Sequence, residues 1–145
     1  MTKKTALASC LAALLAACSD PTGGESARFA GVEFAVLATT FAPGDTVFAE
    51  LRNSGAEGVG FNLCYTDLER RTDSRWRLAE EFFGVPASGA CLAYLAALAP
   101  GTTARSRYAI RRDLPAGTYR LRTTLVSLDA SGDRTVRTQA FTVGR

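Results

Sequence analysis

Residues 117–128, GTYRLRTTLVSL, alternate along their length. Tyr119, Leu121, Thr123 and Leu125 fall on one side of an extended chain, and Arg120 and Arg122 fall on the other. A period of two suits a strand with one face in a core and one in water; a helix would scatter the same residues around its surface. Similar short runs recur between turn signals. Residues 32–37 (VEFAVL) form the first. In residues 46–53 (TVFAELRN), Val47, Ala49 and Leu51 oppose Glu50 and Arg52, and in residues 59–65 (VGFNLCY), Val59, Phe61, Leu63 and Tyr65 share a face. A polar loop at 66–74 leads into residues 75–79 (RWRLA). In residues 103–110 (TARSRYAI), Ala104, Ser106, Tyr108 and Ile110 face inward and Arg105 and Arg107 outward. Residues 135–143 close the set, but Phe141 and Val143 cannot face the core without also turning Arg137 inward, unless a bulge intervenes. Residues 80–100 are interrupted by Gly84, Pro86 and Gly89, and 91–98 reads equally as strand, helical turn or neither. About seven short strands without a long helical period predict an all-β sandwich.

The start of the chain obeys another logic. Lys3 and Lys4 precede about a dozen apolar or small residues, 6–17. That run is shorter than the roughly 20 residues a membrane span needs, and the pattern is that of a secretory signal. Leu15-Ala16-Ala17-Cys18 resembles a bacterial lipobox. In that family the cysteine is lipidated and becomes the first residue of the mature chain. The resemblance implies a signal peptide at 1–17, a lipid on Cys18, a cell-envelope location and the membrane as first partner. Ser19, where an aspartate would stand for retention, resembles an outer-membrane address. Two or more acyl chains hold firmly where one is marginal. The alternative is an ordinary cut after Ala17 that leaves Cys18 a plain thiol. Residues 18–31, small, polar and Gly-rich, read as a flexible tether, and 32–145 as the folded domain.

Removing 17 residues from 145 leaves 128, enough for one core. Both lysines leave with the leader, so 15 arginines face 14 acids. So near-neutral a chain has little long-range pull on nucleic acid, which is not expected as a partner. The absence of histidine from the sequence removes Ser-His-Asp triads, Cys-His pairs and histidine-ligated metals. No cofactor is expected. Cys10 goes with the leader. Cys64 and Cys91 remain, and in an oxidising compartment they are expected to pair. The closed loop would contribute about 3.5 kcal/mol by chain entropy. Two buried thiols or a redox pair are the alternatives, although the spacing is not C-x-x-C.

Leu114-Pro115-Ala116-Gly117-Thr118-Tyr119 resembles the tyrosine corner of immunoglobulin-like and fibronectin-like domains. With ALAPGTTA and RWRLAE, the region 32–143 looks like the bacterial immunoglobulin-like domains of extracytoplasmic proteins. The resemblance implies a buried Tyr119 whose hydroxyl bonds an upstream backbone group. Tyr119→Phe should then cost about 1–3 kcal/mol, and the outward Arg120→Ala under about 0.5 kcal/mol. Cys91 precedes the strand that would hold the second cysteine of an antibody domain, so the expected disulfide is peripheral.

Catalytic candidates are few. Asp67, Glu69 and Asp73 share one loop with Arg70 and Arg71, which repel a cation, and the spacing is not that of an EF-hand. Glu80 and Glu81 are adjacent and point apart on a strand. No G-x-S-x-G occurs. The distinctive surface feature is a set of arginines, Arg105, Arg107, Arg120 and Arg122. If their strands share a sheet, they form a guanidinium patch for carboxylates or phosphates. Trp76 reads as core or as a stacking platform. Phe82, Phe83 and Val85, within EFFGVPASGA, either cap the core or form a partner-binding tip. The expectation is a lipid-anchored, non-catalytic binding or structural module with an unknown protein partner; the alternative is a proteinase inhibitor presenting the 82–86 loop.

Overall fold

The longest alternating run becomes the central strand. In the computed structural model, which describes residues 28–81, 83 and 94–144, β9 spans Gly117–Ser127. Its pleat follows the sequence: Tyr119, Leu121 and Leu125 are fully buried, Thr123 is buried beside them, and Arg120 and Arg122 point out. One edge of β9 pairs antiparallel with β11 (Phe141–Val143) and then β10 (Asp133–Arg137). The other pairs with β5 (Asp67–Thr72) and then β4 (Val59–Phe61). β6 (Arg75–Glu80) extends the sheet from β5, β7 (Ala96–Leu98) from β4, and β2 (Thr40–Phe41) runs parallel to β11. These eight strands face a smaller antiparallel sheet of β1 (Val32–Val36), β3 (Thr46–Asn53) and β8 (Thr103–Ala109). The molecule is an all-β sandwich, with no helix among the described residues.

The core lies between the sheets. Phe34, Val36, Val47, Ala49, Leu51 and Tyr108 come from the smaller sheet; Leu68, Tyr119, Leu121, Leu125, Phe141 and Val143 come from the larger. Burying a side chain of this size contributes roughly 1.5–3 kcal/mol, so the facing pleats are the main source of stability. The fourth inward position of β3 is a polar residue, Asn53, which is fully buried. Its amide donates to the carbonyls of Glu57 (2.7 Å) and Leu98 (3.0 Å) and accepts from Gly55 N–H at 3.0 Å. Asn53 therefore closes that end of the sandwich at no cost in unpaired polar groups.

Several expected boundaries change. Among the described residues there are eleven strand segments rather than about seven. Part of the increase is the parity conflict near the C-terminus, resolved by a bulge. Between the pairs Arg137↔Arg122 and Phe141↔Tyr119, the outer strand carries one residue more than β9. Thr138 fills the break, donating N–H to Leu121 O and accepting Leu121 N–H on its hydroxyl, both at 3.0 Å. Val136 and Phe141 thus both face the core while Arg137 stays out. The expected loop at 66–74 is mostly β5, and only Asp73 and Ser74 turn, both with positive φ. The expected strand at 59–65 stops at Phe61, where Asn62 folds the chain by accepting Cys64 N–H, and Tyr65 lies on the surface.

The folded part also begins earlier than residue 32. Phe29 is buried in the core, and Arg28 bonds the Asp129 carboxylate (2.6 Å) and the Ser131 hydroxyl on the β9–β10 turn. A side chain on Gly55 would overlap the Ala30 carbonyl, so the entering chain crosses the end of β3 where only glycine allows it. The Asp129 carboxyl is held well below the usual carboxylate range, first by the Ser131 and Ser127 hydroxyls and then by Ser131 N–H and Arg28.

Candidate functional site

Of the residues singled out in the sequence, Arg120 and Arg122 lie at the best-organised polar cluster. β9 projects both onto the outer face of the larger sheet, and β5 lies alongside in a register that places Asp67 opposite Arg122 and Glu69 opposite Arg120. Arg120 Nε meets Glu69 Oε2 at 2.6 Å, and Arg122 Nη2 meets Asp67 Oδ2 at 2.6 Å. Arg122 and Arg137 each approach Glu69 at 3.4 Å. Glu69 is almost fully buried, under guanidinium groups from two neighbouring strands. The Arg122 guanidinium is shifted further above its ordinary value, chiefly by the Asp67 hydrogen bond. The cluster welds β5, β9 and β10 together. Its arginines are committed to internal carboxylates rather than presented to a ligand.

Trp76 completes the cluster from β6. It is half-buried, and the Arg120 guanidinium lies over its ring at 4.2 Å. Trp76 is therefore neither a core residue nor a bare stacking platform, because its ring already carries a cation. Losing Arg120 removes an ion pair and this stack together, so the expectation of a near-neutral Arg120→Ala is corrected to a cost of about 1–2 kcal/mol.

The four-arginine patch does not form. Arg105 and Arg107 belong to β8 in the smaller sheet, and Arg120 and Arg122 to β9 in the larger. Arg105 pairs with Glu50 at 2.6 Å. Arg107 lies across from the exposed Phe48. Phe83, one of three candidates for a partner-binding tip, is buried. Its N–H donates to Thr66 O at 2.7 Å and its ring stacks on Tyr108 at 6.0 Å. Phe83 is a core residue, then, and cannot serve as an exposed inhibitory contact. Phe82, Val85, Cys91 and Cys18 lie outside the described residues.

The stretch with Asp67, Glu69 and Asp73 reads in sequence as a solvated hairpin tip, and the structure makes most of it strand β5, paired with β6 in an exposed hairpin. It projects past the β9 pairing, and from Arg71 to Ala79 every residue except Trp76 is exposed. Its turn is the dipeptide Asp73-Ser74, between runs of even length. It forms a two-residue hairpin turn with φ of 49° and 65°, but serine is uncommon in that conformation.

At the same end, Tyr119 is fully buried and its hydroxyl donates to Pro115 O at 2.5 Å. Arg70 lies 5.9 Å over the ring and donates to Ala116 O at 3.0 Å. Burial pushes the Tyr119 phenol above its ordinary value, and the Arg70 charge partly opposes it.

No family model matches the chain, and no curated protein matches it. Among solved structures, it is similar to the neutral ceramidase from Pseudomonas aeruginosa, with 10% identity and a TM-score of 0.46. The match covers 77% of this chain and 19% of that one. A likeness at this level assigns neither activity nor substrate here.

Proposed function

We propose that this chain is an exported lipoprotein whose β-sandwich, of the immunoglobulin-like kind, serves as a non-catalytic binding module held at the cell envelope by a lipid on Cys18. The envelope address rests on Lys3, Lys4, the apolar run and Leu15-Ala16-Ala17-Cys18. Ser19 favours the outer membrane. The Tyr119 hydroxyl on Pro115 O supports the immunoglobulin-like assignment, since that bond is what the tyrosine corner requires. A Cys64–Cys91 disulfide is part of the proposal. Phe83 N–H bonds Thr66 O and the Asn62 amide bonds Tyr94 O, so the chain leaves and rejoins the described structure on either side of the Cys64 turn.

The observation that carries the reading is where the chain enters. Arg28 is clamped to Asp129 and Ser131, at the β9 C-terminal end. Nine residues lie between Cys18 and Arg28, a reach of at most about 35 Å over the ten steps. β5 runs antiparallel to β9, so the β5–β6 turn lies at the opposite end of the sheet. The lipid would hold one end of the sandwich and leave the hairpin end turned away from the bilayer.

Metabolic labelling with a fatty acid, on wild type and Cys18→Ser, tests the anchor. The expected result is label on the wild type only, with the variant released from membranes. A membrane-bound wild type without label would overturn the proposal.

A further inference from the structure

We infer that β6 is a docking edge for an extended, acidic peptide strand of a protein partner. This rests on the binding-module reading and gives it a partner chemistry.

β6 pairs with β5 alone, so one side of its backbone is an open sheet edge among the described residues. The register identifies which groups face out. The two-residue turn makes Thr72↔Arg75 the closing hydrogen-bonded pair, and Arg70↔Arg77 is the next. The backbone N–H and C=O of Trp76 and Leu78 therefore point away from β5. A strand that adds there would satisfy them by main-chain pairing.

The side chains set the specificity. Arg75 and Arg77 project to one face of the edge, both exposed, and neither has an ion pair among the described residues. Trp76 and Leu78 project to the other, where Leu78 is 47% exposed beside the tryptophan that Arg120 holds in place. An incoming strand with acidic residues on alternate positions would set its carboxylates against Arg75 and Arg77 and its apolar residues against Trp76 and Leu78. Exposed arginines also guard free edges against nonspecific pairing, which makes selectivity between acidic and basic strands the deciding property. The location favours access, since the edge lies at the end of the sheet opposite Arg28.

Trp76 is the single tryptophan of the chain and lies on the edge itself, so its emission reports occupancy. The full-length protein would be titrated with three capped hexapeptides: Glu-Val-Glu-Val-Glu-Val, Lys-Val-Lys-Val-Lys-Val, and an acidic control with proline replacing valine. Hydrogen exchange would be read at the Trp76 and Leu78 amides. The expected result is a saturable emission change and amide protection with the Glu-Val peptide alone, binding weakened at least tenfold by Arg75→Glu/Arg77→Glu. Leu78→Pro, which removes an outward N–H that β5 does not use, should abolish protection at Trp76 while the thermal midpoint stays near that of wild type. Equal response to acidic and basic peptides, or none to either, would overturn the inference and leave Arg75 and Arg77 as guards of the edge. Fatty-acid labelling of Cys18 is independent of this outcome, so failure of the edge and failure of the anchor are separable.

Discussion

β9 and the β5–β6 hairpin are neighbours in one sheet, yet they are built by different forces. β9 has one face in the core, and Tyr119, Leu121 and Leu125 bury completely. The hairpin has no such covered face, and past Arg70 nearly all its side chains meet water. Burial selects the side chains of β9. Ladder hydrogen bonds, a two-residue turn and the Asp67 and Glu69 ion pairs at its root hold the hairpin. Strand geometry therefore does not require hydrophobic alternation, and the alternation reports only where a core lies behind the strand.

The largest expected effect tests that division with one residue type. Leu121→Ala in β9 should cost about 3–4 kcal/mol by lost burial and a cavity, whereas Leu78→Ala in β6 should stay within about 0.5 kcal/mol. Urea denaturation of both would measure the contrast, and similar losses would break the comparison.

The junction between the regions comes next. Glu69→Gln leaves Arg120, Arg122 and Arg137 without their shared carboxylate. Because those arginines are partly exposed, the expected cost is about 1–2 kcal/mol, below that of a fully buried pair. A neutral result would show that the hairpin root is held by backbone pairing alone.

Tyr119→Phe should cost about 1 kcal/mol, since Pro115 is exposed and water can replace the lost donor. Two inward tyrosines also set an alkaline limit. Burial raises the phenol of Tyr108, with the Thr66 and Ser106 hydrogen bonds opposing, and that of Tyr119. A raised folded-state value means that stability is full below the ordinary tyrosine value and falls as pH rises above about 10. Denaturation midpoints from pH 8 to 11 should fall less in the Tyr108→Phe/Tyr119→Phe double variant; an equal fall would place the alkaline limit elsewhere.

The same division accounts for what could be read from the sequence. The inward residues of β3 and β9, the outward Arg120 and Arg122, and the need for a bulge before Phe141 all followed from period-two patterning against a core. β5 was hidden because its run, DLERRT, has one core residue, Leu68, and Glu69 is buried next to it by ion pairing and a bulge rather than by hydrophobicity. Residue type leaves Trp76 open between core and stacking platform, and neither reading includes the Arg120 guanidinium that its ring packs under on the sheet surface. The separation of Arg105 and Arg107 from Arg120 and Arg122 depends on sheet membership, which local spacing does not encode. Asn53 reads as a strand end, and while its bonds to Gly55 and Glu57 are local, the third, to Leu98 O in β7, joins residues 45 apart in sequence.

Native-state hydrogen exchange of the full-length protein tests the central contrast most directly. The Leu121 amide, which bonds Thr138, should exchange only through global unfolding, and the outward Trp76 and Leu78 amides should exchange nearly as fast as free peptide. Trp76 and Leu78 amides as slow as that of Leu121, in protein without added peptide, would contradict the account, because the β6 edge would then already be covered.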